Sequence, residues 1–506
     1  MVSKHEQLYN QLCQHARETA MLSATESILG WDERTMLPPE AAEYRAEQMT
    51  LLAGMIHQRR TDSRLGDWLG ELATSPLAAD PHSDSGTTIR QLKREFDKRV
   101  KLPQSLVEEL TRTASLGQHV WQQARANDDF ASFEPLLAKT FELKRAQAEA
   151  LGYDKNPYDA LLDDFEPGES TANVARVLSD LREALVPLVS AIAGSSRRPD
   201  VSILARRYPL EMQQGFARDA AAQIGFDFCR GRLDVTAHPF CTGLGPHDCR
   251  ITTRFDENFF NSAFFGTLHE AGHGIYDQGL RTELYGLPPA EAVSLGIHES
   301  QSRMWENLVG RSRAFWDHFY PTAQQSFPDA LSAERLDRFY FAVNDVRPSL
   351  IRVEADEATY NLHILIRFEL EQALLTDDLQ VADLPAAWND KYSKYLGIRP
   401  GNDADGVLQD IHWAAGLVGY FPTYSLGNLY ASQFFAQAER DLGSLSSQFA
   451  RGEFQPLGDW LRKNIHTHGQ RYSAAELVQR ITGKTLSHAP LIAHLRNKLA
   501  PLYGLN

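Results

Sequence analysis

Residues 264–277, Phe-Phe-Gly-Thr-Leu-His-Glu-Ala-Gly-His-Gly-Ile-Tyr-Asp, constrain this chain more than any other stretch. Phe264, Leu268, Ala271 and Ile275 recur at 4-3-4 spacing, the period of a helix with one apolar stripe, while His269, His273 and Asp277 fall on a different face. Gly266, Gly272 and Gly274 lie inside the same helix, each costing about 1 kcal/mol relative to alanine. A helix so weak on its own terms can form only where tertiary packing offsets that cost, so it belongs in a core. Close approach of another helix would explain the glycines with or without chemistry on the other face.

His269, Glu270 and His273 form an HExxH motif. Residues four apart lie one above the other on a helix, so the two imidazoles can converge on one metal ion with Glu270 beside them, as in zinc proteases. His5-Glu6 and His298-Glu299 match in part but lack the second histidine. Two histidines do not hold a catalytic zinc, and a third ligand is commonly a Glu from a following helix. Glu299, 26 residues beyond His273, is the candidate: Val293, Ile297, Met304, Trp305 and Leu308 describe a helix with a buried side, and Leu287-Pro288-Pro289 marks the turn before its antiparallel return. Glu306, two turns further, is the rival. Zinc on two His and one carboxylate keeps an open position for water, whose pKa falls toward about 7. Glu270 is placed to accept its proton and pass it to a leaving amine. Asp277 is either an acceptor for an imidazole N–H or an ordinary surface aspartate.

Charge and cysteine content narrow the partners. With Lys and Arg at 51 and Asp and Glu at 66, the net charge of −15 disfavours nucleic acid and anionic membranes. Cys13, Cys229, Cys241 and Cys249 form no CxxC pair and are too few for a disulfide framework, which fits a reducing cytoplasm. No signal region is recognisable at the start, and the longest apolar stretch, near Leu185, is broken by Pro187, so no membrane span is expected.

Segments 88–100, 106–124, 133–151, 172–193, 333–344, 349–375 and 474–481 show the 3.6-residue period, so the fold class is mostly α. Residues 231–256 are the exception. Arg232-Leu-Asp-Val-Thr and 249–255 are short β-branched runs between Gly, Pro and Asn, predicting a small sheet just before the motif helix. Nothing divides the chain, so 1–506 reads as one catalytic unit, with residues 1–86 as a possible N-terminal helical cap and a two-lobed body as the alternative.

Further polar groups bear on the substrate. Arg352, Asp356, Tyr360 and His363 line up at helical spacing; an Arg oriented by a neighbouring Asp is a bidentate anchor for a carboxylate, or else an ordinary i,i+4 ion pair. His412, Tyr420 and Tyr424 could donate hydrogen bonds to a developing oxyanion, or be satisfied core residues.

His238-Pro-Phe240, Asp248-Cys-Arg250-Ile-Thr252, His269-Glu-Ala-Gly-His273, His298-Glu-Ser-Gln301, Ile351-Arg-Val-Glu-Ala-Asp356 and Gly406-Val-Leu-Gln-Asp-Ile-His-Trp413, with Trp31-Asp-Glu-Arg-Thr-Met-Leu-Pro-Pro39, resemble in order the signature set of the thermostable Taq-type metallocarboxypeptidases. The resemblance implies a mostly helical metallopeptidase with a deep active-site cleft, related to angiotensin-converting-enzyme-like and neurolysin-like peptidases and usually a homodimer. It implies an enzyme acting on peptides with a free C-terminus and releasing single amino acids with broad specificity, using zinc or cobalt. By motif, His269, His273 and Glu299 would be ligands and Glu270 the general base. Arg352 and Arg250 would hold the substrate carboxylate, Gln409 would join them in binding substrate, and His238 with Phe240 would shape the closed end of the cleft. His412 would stabilise the oxyanion, and Tyr420 and Tyr424 follow by analogy with more distant relatives. The competing functions are an endo-acting or dipeptide-releasing oligopeptidase, and a scaffold without chemistry, which would have no need of Glu270.

Overall fold

The computed structural model describes residues 3–505, and they fall into two compact units. One comprises Met1–Val100, Asp200–Val343 and Phe434–Lys484; the other comprises Lys101–Pro199, Asn344–Gln433 and Thr485–Asn506. Helices make up most of both, and no helix among the described residues is long and apolar enough to cross a membrane.

The first unit opens with helices Lys4–Thr35, Ala42–Arg60 and Ser63–Ala73, followed after a loop by Asp84–Lys101. Ser3 starts the first of these with a capping box: its hydroxyl accepts from the Glu6 N–H, and the Glu6 carboxylate accepts from the Ser3 N–H. Leu12, Leu65, Leu69, Leu72 and Ile89 share one buried cluster, so the N-terminal helices are tied by their apolar faces to the helix beyond residue 84.

Gly231–Val235 (β1), Cys241–Gly243 (β2) and Cys249–Thr253 (β3) form the only sheet among the described residues, in the order β1-β3-β2. β3 runs parallel to β1 and antiparallel to β2. Two of these strands answer to the β-branched runs in the sequence. β2 does not, because three residues are too few to display a period of two.

Against the sheet lies the motif helix, Phe260–Gly279. Phe264, Leu268, Ala271 and Ile275 are all buried, as their spacing predicts. Their underside is aromatic: Phe264 stacks on Phe260 and Phe216 at 5.1 Å each and meets Trp316 at 5.3 Å. That packing is what offsets the three glycines. A Cβ on Gly274 would lie 2.5 Å from the Phe226 ring, and one on Gly272 would lie 2.6 Å from the Gln301 carbonyl oxygen and the Ser302 Cα of the return helix. The glycines therefore serve close approach, on which the site depends.

The return helix, Leu295–Arg303, is started by Ser294, whose Oγ accepts from the Ile297 N–H at 3.0 Å, and it runs on into a π-helical stretch, Met304–Gly310.

The second unit packs helices Gln104–Asn127, Phe130–Leu151, Thr171–Gly194, Tyr360–Leu375, Leu384–Leu396 and Ala489–Tyr503 around buried residues such as Leu181, Leu362, Ile366, Trp388 and Tyr392. One expectation fails here. The predicted helix over 349–375 begins only at Tyr360, with a single 3-10 turn at Arg352–Glu354 before it. Asp356 is the reason: its carboxylate accepts from the backbone N–H groups of Arg347, Ala358 and Thr359 and from the Thr359 hydroxyl. A short polar side chain that captures nearby backbone donors competes with the helix ladder.

Candidate active site

The motif and return helices bring three ligand-type groups together. His269 Nε2 lies 3.7 Å and His273 Nε2 3.4 Å from Glu299 Oε2, and all three donor atoms fall within 4.8 Å of one another. Metal–ligand bonds of about 2.0–2.1 Å in a tetrahedral site put ligand atoms about 3.3–3.4 Å apart, so this donor set fits a single divalent ion.

Each histidine is fixed through its other nitrogen. His269 Nδ1 lies 2.9 Å from Glu306 Oε2. His273 Nδ1 lies 2.5 Å from His298 Nδ1, and His298 Nε2 lies 3.0 Å from Asp277 Oδ1. With His298 neutral, those contacts are satisfied by a proton on Nδ1 of each motif histidine, which turns both Nε2 atoms toward Glu299. Glu306 thus meets His269 at Nδ1, the nitrogen turned away from the three converging donor atoms. Asp277 does accept an imidazole N–H, but that of His298, which carries its influence to His273.

Arg303 organises the carboxylates, reaching Glu299 Oε1 at 2.7 Å and Glu306 Oε2 at 3.3 Å. Burial pushes Glu299 up, but Arg303 and the two imidazoles outweigh it and hold the group well below the usual carboxylate range. Glu306 is likewise pushed up by burial and pulled down more strongly by Arg303 and His269, to about 2. His273 is lowered to about 4, chiefly by burial, which keeps its lone pair available. Glu270 behaves oppositely. It is buried, accepts no hydrogen bond from the described residues, and has its pKa raised to about 7, chiefly by burial.

The second unit gathers the other candidates. Arg352 Nε and Nη2 donate to Asp410 Oδ1 at 2.9 and 2.7 Å, and Nη1 donates to the Tyr360 hydroxyl at 3.0 Å. The partner expected from spacing was Asp356; because the helix does not extend back to Arg352, that carboxylate caps the turn instead. Arg367, fully buried, donates to Asp410 Oδ2 at 2.6 Å, so two guanidinium groups share one carboxylate. Gln409 holds both arginines through its Oε1, accepting from the Arg352 backbone N–H and Arg367 Nη2 at 2.8 Å each, while its Nε2 donates to the Leu350 carbonyl oxygen at 3.0 Å. Both ends of its amide are thus engaged by the protein, and its oxygen ties the two arginines together. His412 Nε2 lies 3.3 Å from the Tyr424 hydroxyl, and its ring centroid lies 5.4 Å from that of Tyr420. Burial lowers His412 to about 4.

Arg250 and His238 belong to the first unit. Arg250 forks onto Asp248 with two bonds of 2.9 Å and lies 4.4 Å over the Trp31 ring, so much of its guanidinium is already engaged. His238 is exposed.

The sequence reading missed His298 and Arg303 as orienting groups and Arg367 and Asp410 as part of the cationic cluster. Arg303 at i+4 from Glu299 was the one available local signal; the others meet their partners across elements.

Comparison with known proteins places the whole chain among metallopeptidases. Residues 11–499 match the family described as Carboxypeptidase Taq (M32) metallopeptidase. The chain is 49% identical to Thermostable carboxypeptidase 1 of Thermus thermophilus, over 99% of each chain. It is 39% identical to Carboxypeptidase 1 of Bacillus subtilis, over 95% of each. Its fold superposes with a TM-score of 0.95 on the crystal structure of the M32 carboxypeptidase from Deinococcus radiodurans R1, at 41% identity, covering 99% of this chain and 100% of that one.

Proposed function

The chain belongs to the carboxypeptidase Taq (M32) metallopeptidase family and is a metal-dependent carboxypeptidase; we propose that it releases single amino acids from peptide C-termini, with His269, His273 and Glu299 as metal ligands and Glu270 as general base. The observation that carries this reading is the convergence of the His269, His273 and Glu299 donor atoms next to the buried Glu270. When bound, a divalent ion supplies Lewis acidity toward the scissile carbonyl and lowers the pKa of its water, and its charge favours the ionised form of Glu270. Glu270 then takes the proton of the attacking water and returns it to the leaving amine nitrogen. Glu306 and the His298–Asp277 pair keep the two imidazoles in the tautomer that leaves Nε2 free.

Arg352 is proposed to hold the substrate's terminal carboxylate. Two guanidinium groups on one carboxylate leave uncompensated positive charge, and one N–H on each of Arg352 Nη1 and Nη2 has no partner among the described residues. Arg250 and His238 are further substrate contacts in this reading, with Gln409 bracing Arg352. His412, through its Tyr424 contact and with Tyr420 beside it, would steady the developing oxyanion. We further propose zinc as the native ion with cobalt as a substitute, a homodimer, a cytoplasmic setting consistent with four free cysteines, and action of the whole chain with its N-terminal helices as one catalytic unit.

Digestion of a defined peptide by metal-loaded enzyme, followed by mass spectrometry, tests the exopeptidase reading: mass should fall one C-terminal residue at a time. Internal fragments or dipeptide steps would favour the endo-acting or dipeptide-releasing alternative. Amidating the peptide terminus should lower kcat/KM by about ten- to hundredfold, the worth of a charge-assisted contact of roughly 1.5–3 kcal/mol. Arg352→Ala should erase that preference for the free acid. If the variant keeps it, the anchor is elsewhere, with Arg250 next in line.

A further inference from the structure

Three groups outside the catalytic set converge where the sheet meets the motif helix. Cys241 Sγ and Cys249 Sγ lie 3.7 Å apart, and each lies 4.0 Å from Asp277 Oδ2. The mechanism uses the other oxygen of that carboxylate, Oδ1, which faces His298 at 3.0 Å. Oδ2 and both sulfurs have no role in it.

The sheet register argues against a disulfide. Cys241 pairs with Ile251 and Cys249 with Gly243, so the cysteines are diagonal neighbours on one face of the antiparallel β2–β3 pair. Diagonal residues are about 7–8 Å apart at Cα, beyond the roughly 4.4–6.8 Å that a disulfide spans. The sulfur separation matches something else. With bonds of about 2.3 Å to sulfur and 2.0–2.2 Å to oxygen, a tetrahedral zinc site has S···S edges of about 3.7–3.8 Å and S···O edges of about 3.6 Å. The observed S···S distance falls on that edge, and the two S···O distances need close by less than about half an ångström.

The surroundings preserve the opening. A Cβ on Gly243 would sit 3.1 Å from Asp277 Oδ2, so glycine keeps that oxygen uncrowded. On the far side, Cys249 and Asp277 line a cavity of about 250 Å³ whose walls include Arg230, His247, Tyr285 and Glu291. It has room for a water as fourth ligand.

We propose that Cys241, Cys249 and Asp277 form a second metal site, separate from the His269–His273–Glu299 set, for a thiophilic divalent cation such as zinc. Two thiolates and a carboxylate oxygen hold the ion, water from the cavity completes it, and the two displaced thiol protons leave to solvent. Because Asp277 contributes one oxygen to each side, an ion here also pins the carboxylate that orients His298.

Cadmium is the probe, added to the reduced, zinc-loaded full-length protein. One equivalent should produce the ultraviolet thiolate-to-cadmium charge-transfer band, and X-ray absorption of the same unmutated sample should find two sulfur neighbours per ion. Cys241→Ser and Cys249→Ser should each weaken cadmium binding at least tenfold, and the double variant should abolish the band while retaining the native circular dichroism. Absence of the band, a cadmium shell of nitrogen and oxygen only, or a band that survives in the double variant would overturn the proposal. Recovery of a Cys241–Cys249 disulfide by mass spectrometry of the untreated protein would also overturn it.

Discussion

Replacing Gly272 by alanine tests the link between a small residue in the motif and the metal site. The new Cβ would meet the Gln301 carbonyl oxygen and the Ser302 Cα at 2.6 Å each, whereas ordinary contact begins at 3.4 Å, so the helices must separate by about 0.8 Å. Both obstacles are backbone, and no rotamer change can relieve them. Glu299 rides on the same return helix, two residues before Gln301, and metal–ligand distances tolerate only about 0.2 Å. Metal affinity should therefore fall at least as far as it does when an outer hydrogen-bond partner is lost, about 10–100-fold. Stability should change much less. Overpacking costs about 1–3 kcal/mol, but alanine's helix propensity returns about 1 kcal/mol, leaving the metal-free protein destabilised by roughly 0–2 kcal/mol. Gly70→Ala is the control: that helical glycine has nothing within 4 Å of a Cβ, so the change should stabilise by up to about 1 kcal/mol and leave metal affinity alone. Competition with a chromophoric chelator gives the affinities, and thermal unfolding of the metal-free proteins gives the stabilities. A folded Gly272→Ala protein binding metal within twofold of the parent would refute the argument that this glycine sets the ligand geometry.

Glu270→Gln should keep one metal ion per chain yet lose at least about 10²–10⁴-fold in kcat, since only the proton transfer is removed; near-normal turnover would exclude Glu270 as base. Glu299→Ala should abolish metal retention through dialysis, while Glu306→Gln should weaken affinity by only about 10–100-fold, because it loosens His269 without removing a ligand; equal losses would mean that Glu306 binds the ion directly. Acid stability should depend on Glu357. Burial pushes this carboxyl up, but Lys498 and His494 outweigh it and lower it from 4.5 to about 2. A depressed carboxyl pKa stabilises the fold above the unfolded value, so on the order of 3 kcal/mol should be lost as pH falls from about 4.5 through about 2. In Glu357→Gln that part of the acid transition should disappear, and the variant should be less stable at neutral pH because the buried Lys498 loses the carboxylate charge that offsets its own; an unchanged acid profile would count against the pair.

What the sequence determined by itself is what one helix or one strand can encode. Helical spacing puts Phe264, Leu268, Ala271 and Ile275 on one stripe and His269 and His273 on another, and those relations hold wherever the helix lies. The two β-branched runs are readable for the same reason. Glycines that weaken the helix announce close neighbours, but not which ones. The tertiary structure decided every relation between elements. It made Glu299 face both imidazoles and turned Glu306 toward His269 Nδ1, where spacing alone favoured Glu299 but left Glu306 as a rival. It paired Arg352 with Asp410 rather than Asp356, because Asp356 captured backbone donors and ended the helix that the i,i+4 relation required. It set two cysteines against Asp277 through the β2–β3 register, in a strand too short to read. Local periodicity follows from the geometry of a single backbone, whereas the choice of partner depends on where two backbones pack, which no spacing along the chain records.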